Sequence, residues 1–392
     1  MTKEEKLSIL NSVFSPTAPI KKHDFFSGRR NQLEKVCDAV NETGQHAIVH
    51  GERGVGKTSL ANIISESLTN LYPIKITCNK KDTFTSLWQQ AFQKIQFATT
   101  TEGLGFKPEI KKSVQSLSNI LNPKSTSFQN DIINQLNQIK GLKFLFVFDE
   151  FDNITDVKTR ESFADLIKSF SDNNSNTTIV LVGIADDIDS LIGEHQSLER
   201  CLKQIKMPRM SDSECGEIID KGLTKLEIEI NDPIKKSIIE FASGFPHYIH
   251  LLCKYGAKEL IENNKTEFSR AYLDIAIKKG IENTNEQLKA SYRKAAITSS
   301  TSYKWINILY ACALAPLDSY NCVEKSEILK KYNKLTGKNV KGDSISYNLK
   351  QLCTPERGEI LKKIGKGLNS RYRFTNPMMR AFIKLKMKSA KS

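Results

Sequence analysis

The sequence has no apolar run long enough to cross a membrane. Its longest apolar stretches, such as IVLVGIA at residues 179–185, fall far short of the roughly 20 residues that a membrane helix needs. The amino-terminal sequence MTKEEKLSIL also lacks the apolar segment of a signal peptide. We therefore expect a soluble cytoplasmic protein with no membrane partner.

Closely spaced cysteine pairs are missing as well. The 392 residues include eight cysteines, but none are in C-x-x-C spacing and few histidines lie near them in the sequence. A zinc site or a disulfide framework needs such clusters. We expect reduced and mostly buried thiols.

The first three quarters of the chain carry almost no excess charge. The net charge is +14, and residues 301–392 hold 19 Lys and Arg against 6 Asp and Glu, a balance of +13 that leaves +1 for residues 1–300. A basic module attached to a near-neutral region indicates a polyanionic partner, with nucleic acid as the default. The alternative is a lysine-rich solvated surface.

A glycine-rich loop is the most informative motif. Residues 51–58 read GERGVGKT and match the phosphate-binding pattern G-x-x-x-x-G-K-[ST]. Glycines let successive backbone N–H groups turn toward phosphate oxygens at the start of a helix, while Lys57 reaches the β- and γ-phosphates and Thr58 ligates Mg²⁺. The alternative of a chance turn fits poorly with the buried strand predicted at residues 47–50 and the helical periodicity after the loop. The predicted nucleotide-binding residues are Gly51, Glu52, Arg53, Gly54, Val55, Gly56, Lys57, Thr58 and Ser59.

An apolar strand that ends in two carboxylates complements the loop. Residues 144–150 read FLFVFDE, and we expect Asp149 to hold Mg²⁺ directly or through water. Glu150 is in the position of a base that orients an attacking water. The alternative is a solvated pair of acids, and Asp152 is interpreted as a helix cap or a solvated charge. Together the two motifs predict binding of ATP or GTP with magnesium.

The order of strand and helix patterns predicts an α/β fold. Strand patterns at residues 74–78, 144–148, 178–183 and 204–207 alternate with helical stretches, which favours a parallel sheet covered by helices on both faces. The polar region at residues 98–127 is interpreted as a mobile insertion with one short helix near residues 109–121. We predict four regions: an extended segment (1–25), a nucleotide-binding core (26–210), a helical lid (211–297) and a basic domain (298–392). In the lid, capping residues are expected at Ser211, Asp232 and Ser269, and Gly244 closes a helix.

The basic domain has the pattern of a winged helix. After an apolar helix, helices are predicted at residues 325–332 and 344–353, followed by strands at 359–364 and 371–374. In a winged helix the third helix enters a major groove of DNA and the hairpin lies along the backbone. We therefore predict duplex DNA binding, with a protein-binding winged helix as the alternative. The reading helix is expected to expose Lys341, Ser344, Ser346, Asn348 and Lys350, and the wing to carry Lys362, Lys363, Lys366, Arg371 and Arg373.

These motifs, in this order, resemble the initiator-clade AAA+ ATPases, the origin-recognition relatives. The resemblance spans about residues 15–385 and implies a P-loop NTPase (AAA+) core, a helical lid and a C-terminal winged helix. FSGRR at residues 26–30 resembles the segment that borders the adenine, which assigns Arg29 to the nucleotide. VGIADDID at residues 182–189 resembles the first sensor, with Asp186 where a neutral amide is usual. SLERCLKQIKMPRMSDSE, from residue 197, resembles the stretch that offers an arginine finger to a neighbouring subunit, which implies that role for Arg200; the alternative is a surface ion pair.

The lid resembles a different class. SGFPHYIHLL places Pro246 and His247 where initiators carry an arginine sensor, and its G-x-P signature is similar to that of the STAND signalling ATPases. That resemblance implies a switch driven by nucleotide exchange, with slow hydrolysis. His247 is assigned either to a phosphate or to packing inside the lid.

Three functional hypotheses follow. The first is an ATP-controlled switch that forms homo-oligomers, binds duplex DNA and recruits a partner, with ATP·Mg²⁺ between core and lid. The second is a STAND-like signalling or defence ATPase whose winged helix binds an effector protein. The third is a target-selecting ATPase for a mobile element. The absence of an N-K-x-D stretch after the core strands and the family resemblance favour ATP over GTP.

Overall fold

Five parallel strands form the central sheet. They are β1 (His46–Gly51), β2 (Tyr72–Thr77), β5 (Phe144–Asp149), β6 (Thr177–Ile184) and β7 (Leu202–Lys206). Their order is β2-β5-β6-β1-β7, and every neighbouring pair is parallel. Each of the strands predicted from the sequence is present, with ends shifted by no more than two residues. Because β1 and β5 both flank β6, the phosphate-loop strand and the acidic strand end at the same edge of the sheet.

The structure is a computed structural model that describes residues 1–16, 19, 28–68, 71–102, 110–119, 128–173, 175–185, 198–296, 302–318, 320–365 and 370–390. It divides into two units. One contains residues 19–52 and 56–208, with the sheet, and the other contains residues 1–18, 53–55 and 209–392.

Helices in the first unit bury a large aromatic cluster against the sheet. Trp88 has its ring centre 4.8 Å from that of Phe146, and Phe163 stands edge-on to Phe148 at the same distance. Such pairs add to the hydrophobic stabilisation that their buried area provides. The helices of this unit are α2 (Arg30–Asn41), α3 (Lys57–Ser67), α4 (Phe84–Gln93), α5 (Phe128–Gln138) and α6 (Val157–Asp172), and the aromatic cluster is packed by α4, α5 and α6.

The prediction of a short helix near residues 109–121 is wrong. Strand β4 (Ile110–Ser116) lies there instead and pairs antiparallel with β3 (Gln96–Glu102), followed by a single 3-10 turn at Leu117–Asn119. Three consecutive threonines in β3 favour extended backbone, and the pairing partner outweighs the weak helical pattern. Residues 103–109 and 120–127 of the predicted insertion lie outside the described residues.

The expectation of an extended segment over residues 1–25 is also wrong in its first half. Helix α1 (Lys3–Val13) begins at a capping box in which Thr2 accepts from the Glu5 backbone and Glu5 accepts from the Thr2 backbone. Its side chains Leu10 and Val13 are buried, and the following Phe14 stands edge-on to His250, with ring centres 6.0 Å apart. T-x-x-E is a recognised helix start, so the sequence contained the signal.

The region predicted as a lid is helical. Its first helix carries a capping box formed by Ser211 and Glu214. The next helix is capped by Asn231 rather than Asp232, and Ser269 makes no side-chain cap bond. The helices are α7 (Asp212–Lys225), α8 (Asp232–Ala242), α9 (Pro246–Glu262), α10 (Arg270–Glu282) and α11 (Glu286–Ala296); β8 (Glu229–Ile230) and β9 (Glu267–Phe268) pair beside them.

The basic domain contains helices and a small antiparallel sheet in the predicted order. Strand β12 lies between β10 and β11. Buried side chains of three of its helices, among them Ile308, Ile345 and Phe382, belong to its core. The elements are α12 (Ser302–Leu314), β10 (Val323–Glu324), α13 (Lys325–Thr336), α14 (Asp343–Gln351), β11 (Leu361–Ile364), β12 (Arg371–Phe374) and α15 (Met379–Ser389).

All eight cysteines are free thiols, six of them buried and two half-buried. Among the described helices, none combines the length and the apolar character needed to span a membrane.

Candidate functional site

The phosphate loop follows β1 and leads directly into α3. Gly54 and Gly56 have positive φ angles of 86° and 99°, which most side chains avoid. Gly56 precedes Lys57, the first residue of the helix. The loop is therefore wound so that an anion can meet backbone N–H groups at the positive end of a helix.

Lys57 is folded along this loop. Its ammonium donates hydrogen bonds to the carbonyl oxygens of Gly51 at 2.9 Å and Glu52 at 2.8 Å, and its side chain is buried. The fully buried strand β1 anchors the start of the loop. The ammonium of Lys57, which the sequence predicts to bind phosphates, is thus held beside the loop by the loop's own backbone carbonyls.

Asp149 lies at the end of β5 and is almost completely buried. Its Oδ1 accepts hydrogen bonds from the hydroxyl of Thr58 at 3.3 Å and from the backbone N–H of Glu150 at 3.0 Å. The two predicted metal ligands are therefore adjacent, although they are separated by 91 positions in the chain.

Lys75 and Asn62 complete this cluster, and the sequence analysis missed both. Lys75 on β2 places its Nζ 2.9 Å from Oδ2 of Asp149 and donates to Oδ1 of Asn62 at 2.6 Å. The available signal was a lysine between the buried residues Ile74 and Ile76 of an otherwise apolar strand. A charge in such a strand needs a partner, and the parallel register of β2 and β5 supplies one.

Glu150 is exposed and has left-handed backbone geometry, with φ 57°. Its Oε2 accepts a hydrogen bond from Nδ2 of Asn153 at 3.2 Å, and the same amide donates to the carbonyl of Cys78 at 3.0 Å. The turn after β5 therefore leaves the carboxylate exposed and held by one amide, as suits a group that contacts solvent water.

Asp152 does not act as a helix cap. Its Oδ1 accepts the backbone N–H of Ile184 at 2.8 Å, at the end of β6. The interpretation as a cap is wrong, because this half-buried carboxylate joins the turn after β5 to the end of β6.

The residues present fit a magnesium–nucleotide complex. Thr58 Oγ1 and Asp149 Oδ1 are the hard oxygen donors that Mg²⁺ prefers, and phosphate oxygens commonly complete its shell. Within the described part of the chain, no three His, Cys, Asp or Glu side chains cluster to hold a metal by themselves. Mg²⁺ at this position would be held by these two oxygens together with phosphate oxygens and water.

Three further residues were assigned through the resemblance. Arg29 is buried at the start of α2, and its Nη2 donates to the carbonyl of Pro208 at 2.6 Å. Arg200 is 73% exposed and pairs with Asp172 at 2.8 Å. Asp186 lies outside the described residues. The roles of all three toward the nucleotide remain predictions.

Pro246 and His247 begin helix α9. Pro246 is buried, and the Nδ1–H of His247 donates a hydrogen bond to the carbonyl oxygen of Pro16 at 2.7 Å. Burial lowers the pKa of His247, so the neutral ring is favoured. The ring is packed in its own unit, while contact with a phosphate stays a prediction.

Helix α14 exposes a different face from the one expected. Asn348 is buried and Ser346 is half-buried with its hydroxyl bonded to the carbonyl of Gly342, so their assignment to the exposed face is wrong. A helix presents positions three and four apart, and Ile345, Asn348 and Leu349 face inward. The exposed residues include Lys341, Ser344, Lys350 and Tyr347, which is 66% exposed and was missed.

The predicted wing is only partly a free basic surface. Lys362 and Lys363 are exposed on β11. Arg371 pairs with Asp318 at 2.8 Å and lies over the ring of Tyr320, and Arg373 is half-buried. Lys366 lies outside the described residues. Seven lysines and arginines were predicted to contact DNA. Of those that the structure describes, the exposed ones are Lys341, Lys350, Lys362 and Lys363.

Solved structures with a similar fold are known. The Walker-type ATPase PABY2304 of Pyrococcus abyssi has a similar fold, with a TM-score of 0.55, 16% identity, and coverage of 94% of this chain and 99% of that chain. The Aeropyrum pernix ORC2 protein is similar at a TM-score of 0.49 and 13% identity, covering 97% of this chain and 98% of that chain. No curated protein matches the sequence.

A family model described as Novel STAND NTPase 1 matches residues 19–296, well over half of the chain. The α/β P-loop fold and the STAND-like part of the resemblance are confirmed, at the level of fold and family. The initiator-clade part stays a resemblance. With the phosphate loop and the buried Asp149 in place, the chain belongs to the Novel STAND NTPase 1 family.

Proposed function

We propose that this protein is an ATP-dependent switch that binds ATP·Mg²⁺, hydrolyses it slowly, assembles into homo-oligomers and binds duplex DNA through its basic domain. The observation that carries the nucleotide part is the approach of Thr58 Oγ1 to Asp149 Oδ1, next to a phosphate loop that holds Lys57. Membership of an NTPase family supports the same reaction.

The proposed roles follow from the chemistry of each group. Lys57 and the loop N–H groups bind the phosphates, and Thr58 with Asp149 holds the metal, which when bound neutralises phosphate charge. Glu150 accepts a hydrogen bond from the attacking water and orients it. Arg200 is exposed. Its proposed role is to contact the nucleotide of a neighbouring subunit.

Calorimetry and turnover with ATP test the nucleotide part. We expect Lys57→Ala to abolish uptake of ATP·Mg²⁺, because the loop loses its cation. Glu150→Gln should keep binding and lower kcat by roughly 10² or more, since general-base catalysis typically contributes that much. Equal binding by wild type and Lys57→Ala, or turnover unaffected by Glu150→Gln, would contradict these assignments.

The DNA part is supported by the charge of residues 301–392 and by the exposure of Lys350 on α14, Lys362 and Lys363 on β11, and Lys341 just before α14. Each phosphate contact steepens the decline of log affinity against log salt by about 0.9. We expect the double change Lys362→Ala, Lys363→Ala to reduce that slope by about 2 at most. The matched control is Lys80→Ala, Lys81→Ala, an exposed neighbouring pair outside the basic domain. If the double variant in the basic domain and the control variant show the same salt dependence of DNA affinity, Lys362 and Lys363 do not contact DNA.

A second function is favoured by the family match and by Tyr347. In a STAND-like signalling or defence ATPase, the basic domain would bind an effector protein, and an exposed aromatic at the centre of α14 suits a protein interface. No DNA binding at 50 mM salt, together with nucleotide binding, would favour this function. A target-selecting ATPase for a mobile element would share the DNA result and would need a transposase partner.

A further inference from the structure

Lys75 is an unusual residue in the sheet. It lies on β2, the edge strand next to β5, between two buried isoleucines. Its side chain is 24% exposed, whereas that of its partner Asp149 is 4% exposed. The ammonium therefore reaches inward from the sheet edge to a carboxylate that has almost no contact with water.

The two oxygens of Asp149 are divided between different partners. Oδ1 faces the Thr58 hydroxyl and the Glu150 N–H, and Oδ2 faces the Lys75 ammonium. Asn62 lies one helical turn after Thr58 on α3 and accepts a hydrogen bond from the same ammonium at 2.6 Å. Helix α3 thus positions the hydroxyl near one oxygen and tethers the cation near the other.

We propose that Lys75 determines what the metal site accepts: it neutralises Asp149 so that Mg²⁺ enters with a triphosphate and not alone. This inference rests on the proposed nucleotide function. A bare divalent cation that approaches Oδ1 is repelled by the ammonium held at Oδ2, within a site that water screens poorly. The complex of Mg²⁺ with ATP carries net negative charge, so the same ammonium attracts it.

Without Lys75, the ligand-free protein would carry a buried Asp149 carboxylate that lacks a counter-charge. A buried carboxylate with no counter-charge is unfavourable, and a site with Asp149 alone would draw divalent cations from solution. Lys75 supplies the counter-charge from within the fold. Metal binding is thereby coupled to nucleotide binding, which a nucleotide-controlled switch requires.

Mn²⁺ binding measured by electron paramagnetic resonance, without nucleotide, tests this inference. We expect Lys75→Met, which removes the charge and keeps the chain length, to bind Mn²⁺ about tenfold more tightly than wild type. Lys75→Gln should behave in the same way, and Lys75→Arg should restore weak binding. Lys203→Met is the matched control, because Lys203 is also a strand lysine of this sheet but pairs with the exposed Asp38 at 3.7 Å.

Thermal unfolding separates this role from a merely structural one. Lys75→Met should unfold at a lower temperature than wild type in chelator, and Mg²⁺ without nucleotide should restore part of the difference. A purely structural lysine would lower the unfolding temperature equally with and without Mg²⁺. Unchanged or weaker Mn²⁺ affinity in folded Lys75→Met and Lys75→Gln would overturn the inference.

The outcome is distinguishable from failure of the proposed function. Calorimetry of wild type with ATP·Mg²⁺ decides whether a nucleotide is bound at all, whereas the Mn²⁺ measurement uses no nucleotide. Nucleotide binding by wild type with no Mn²⁺ effect in the variants rejects the role of Lys75 alone. Absence of nucleotide binding rejects the proposed function, whatever the variants show.

Discussion

At the scale of single residues, Gly51 is the position where the loop tolerates no side chain. Its φ is +152°, and a Cβ there would lie 2.4 Å from the backbone oxygen of Met207. We predict that Gly51→Ala lowers the free energy of unfolding by more than about 2 kcal/mol, because both backbone strain and a backbone clash must be relieved. Nucleotide uptake should fall with it. Denaturant unfolding and calorimetry measure the two effects.

Gly141→Ala provides the control for this prediction. Gly141 also has positive φ, +82°, but among the described residues none beyond its chain neighbours lies within 4 Å of the position of its Cβ. Its substitution should cost only about 1–2 kcal/mol of backbone strain and leave nucleotide uptake intact. Equal losses of stability in the two variants would show that close packing at Gly51 is unimportant.

The residues of the loop and the strand end were predictable because each motif is local in the sequence. Lys75 and Asn62 were not, because their relation to Asp149 depends on the β2–β5 register and on the face of α3. Asp152 was misinterpreted for a similar reason, since its partner is the N–H of Ile184 on another strand. The spacing of residues within a motif identifies the side chains that bind a ligand. It does not identify the side chains from other strands and helices that position them.

At the scale of elements, two buried histidines should make stability depend on pH. His46 on β1 and His250 on α9 both have their pKa lowered to about 4, chiefly by burial, and for His250 also by nearby His247. The folded protein keeps both rings neutral, whereas the unfolded chain takes up protons near pH 6.5. Their contribution is present above pH 6.5 and is lost progressively as the pH falls toward 4, on the order of 3 kcal/mol for each ring.

The contacts of the two rings predict opposite effects of substitution at neutral pH. Nδ1 of His46 accepts the backbone N–H of Ile179 at 2.9 Å, so His46→Leu should cost about 1–3 kcal/mol at pH 7.5. Neither nitrogen of His250 has a hydrogen-bond partner among the described residues, so His250→Leu should be neutral or stabilising there. Both variants should lose less stability than wild type between pH 6.5 and 4.5. Unfolding curves across that range provide the test, and an unchanged pH dependence in His250→Leu would contradict it.

Elements with strong periodicity were predicted well. The apolar strands of the sheet were found within two residues, since continuous apolar runs of that length suit buried parallel strands. Helix α1 was missed although Thr2 and Glu5 form a capping box, and β4 was taken for a helix because its pairing with β3 is not visible in its own sequence. The sequence of a segment does not predict its conformation where pairing with another strand determines that conformation.

At the scale of the whole molecule, Arg200 is the group through which one copy would act on another. Its ion pair with Asp172 joins two exposed side chains, 73% and 46% exposed, and pairs of this kind contribute only about 0–1 kcal/mol. Breaking it to reach a neighbouring nucleotide therefore costs little. We predict that wild type sediments as a larger species with Mg²⁺ and a non-hydrolysable ATP analogue, and that Arg200→Ala does so less or not at all.

Asp172→Ala distinguishes the arginine's proposed role from a structural effect of the ion pair. It breaks the same pair but leaves Arg200 in place, so ATP-dependent assembly should persist or increase. Loss of assembly in both variants would mean that the ion pair merely maintains the local surface. Sedimentation that is identical with and without the analogue, in wild type and Arg200→Ala alike, would remove the oligomeric switch and leave a nucleotide-binding protein that acts as a single copy.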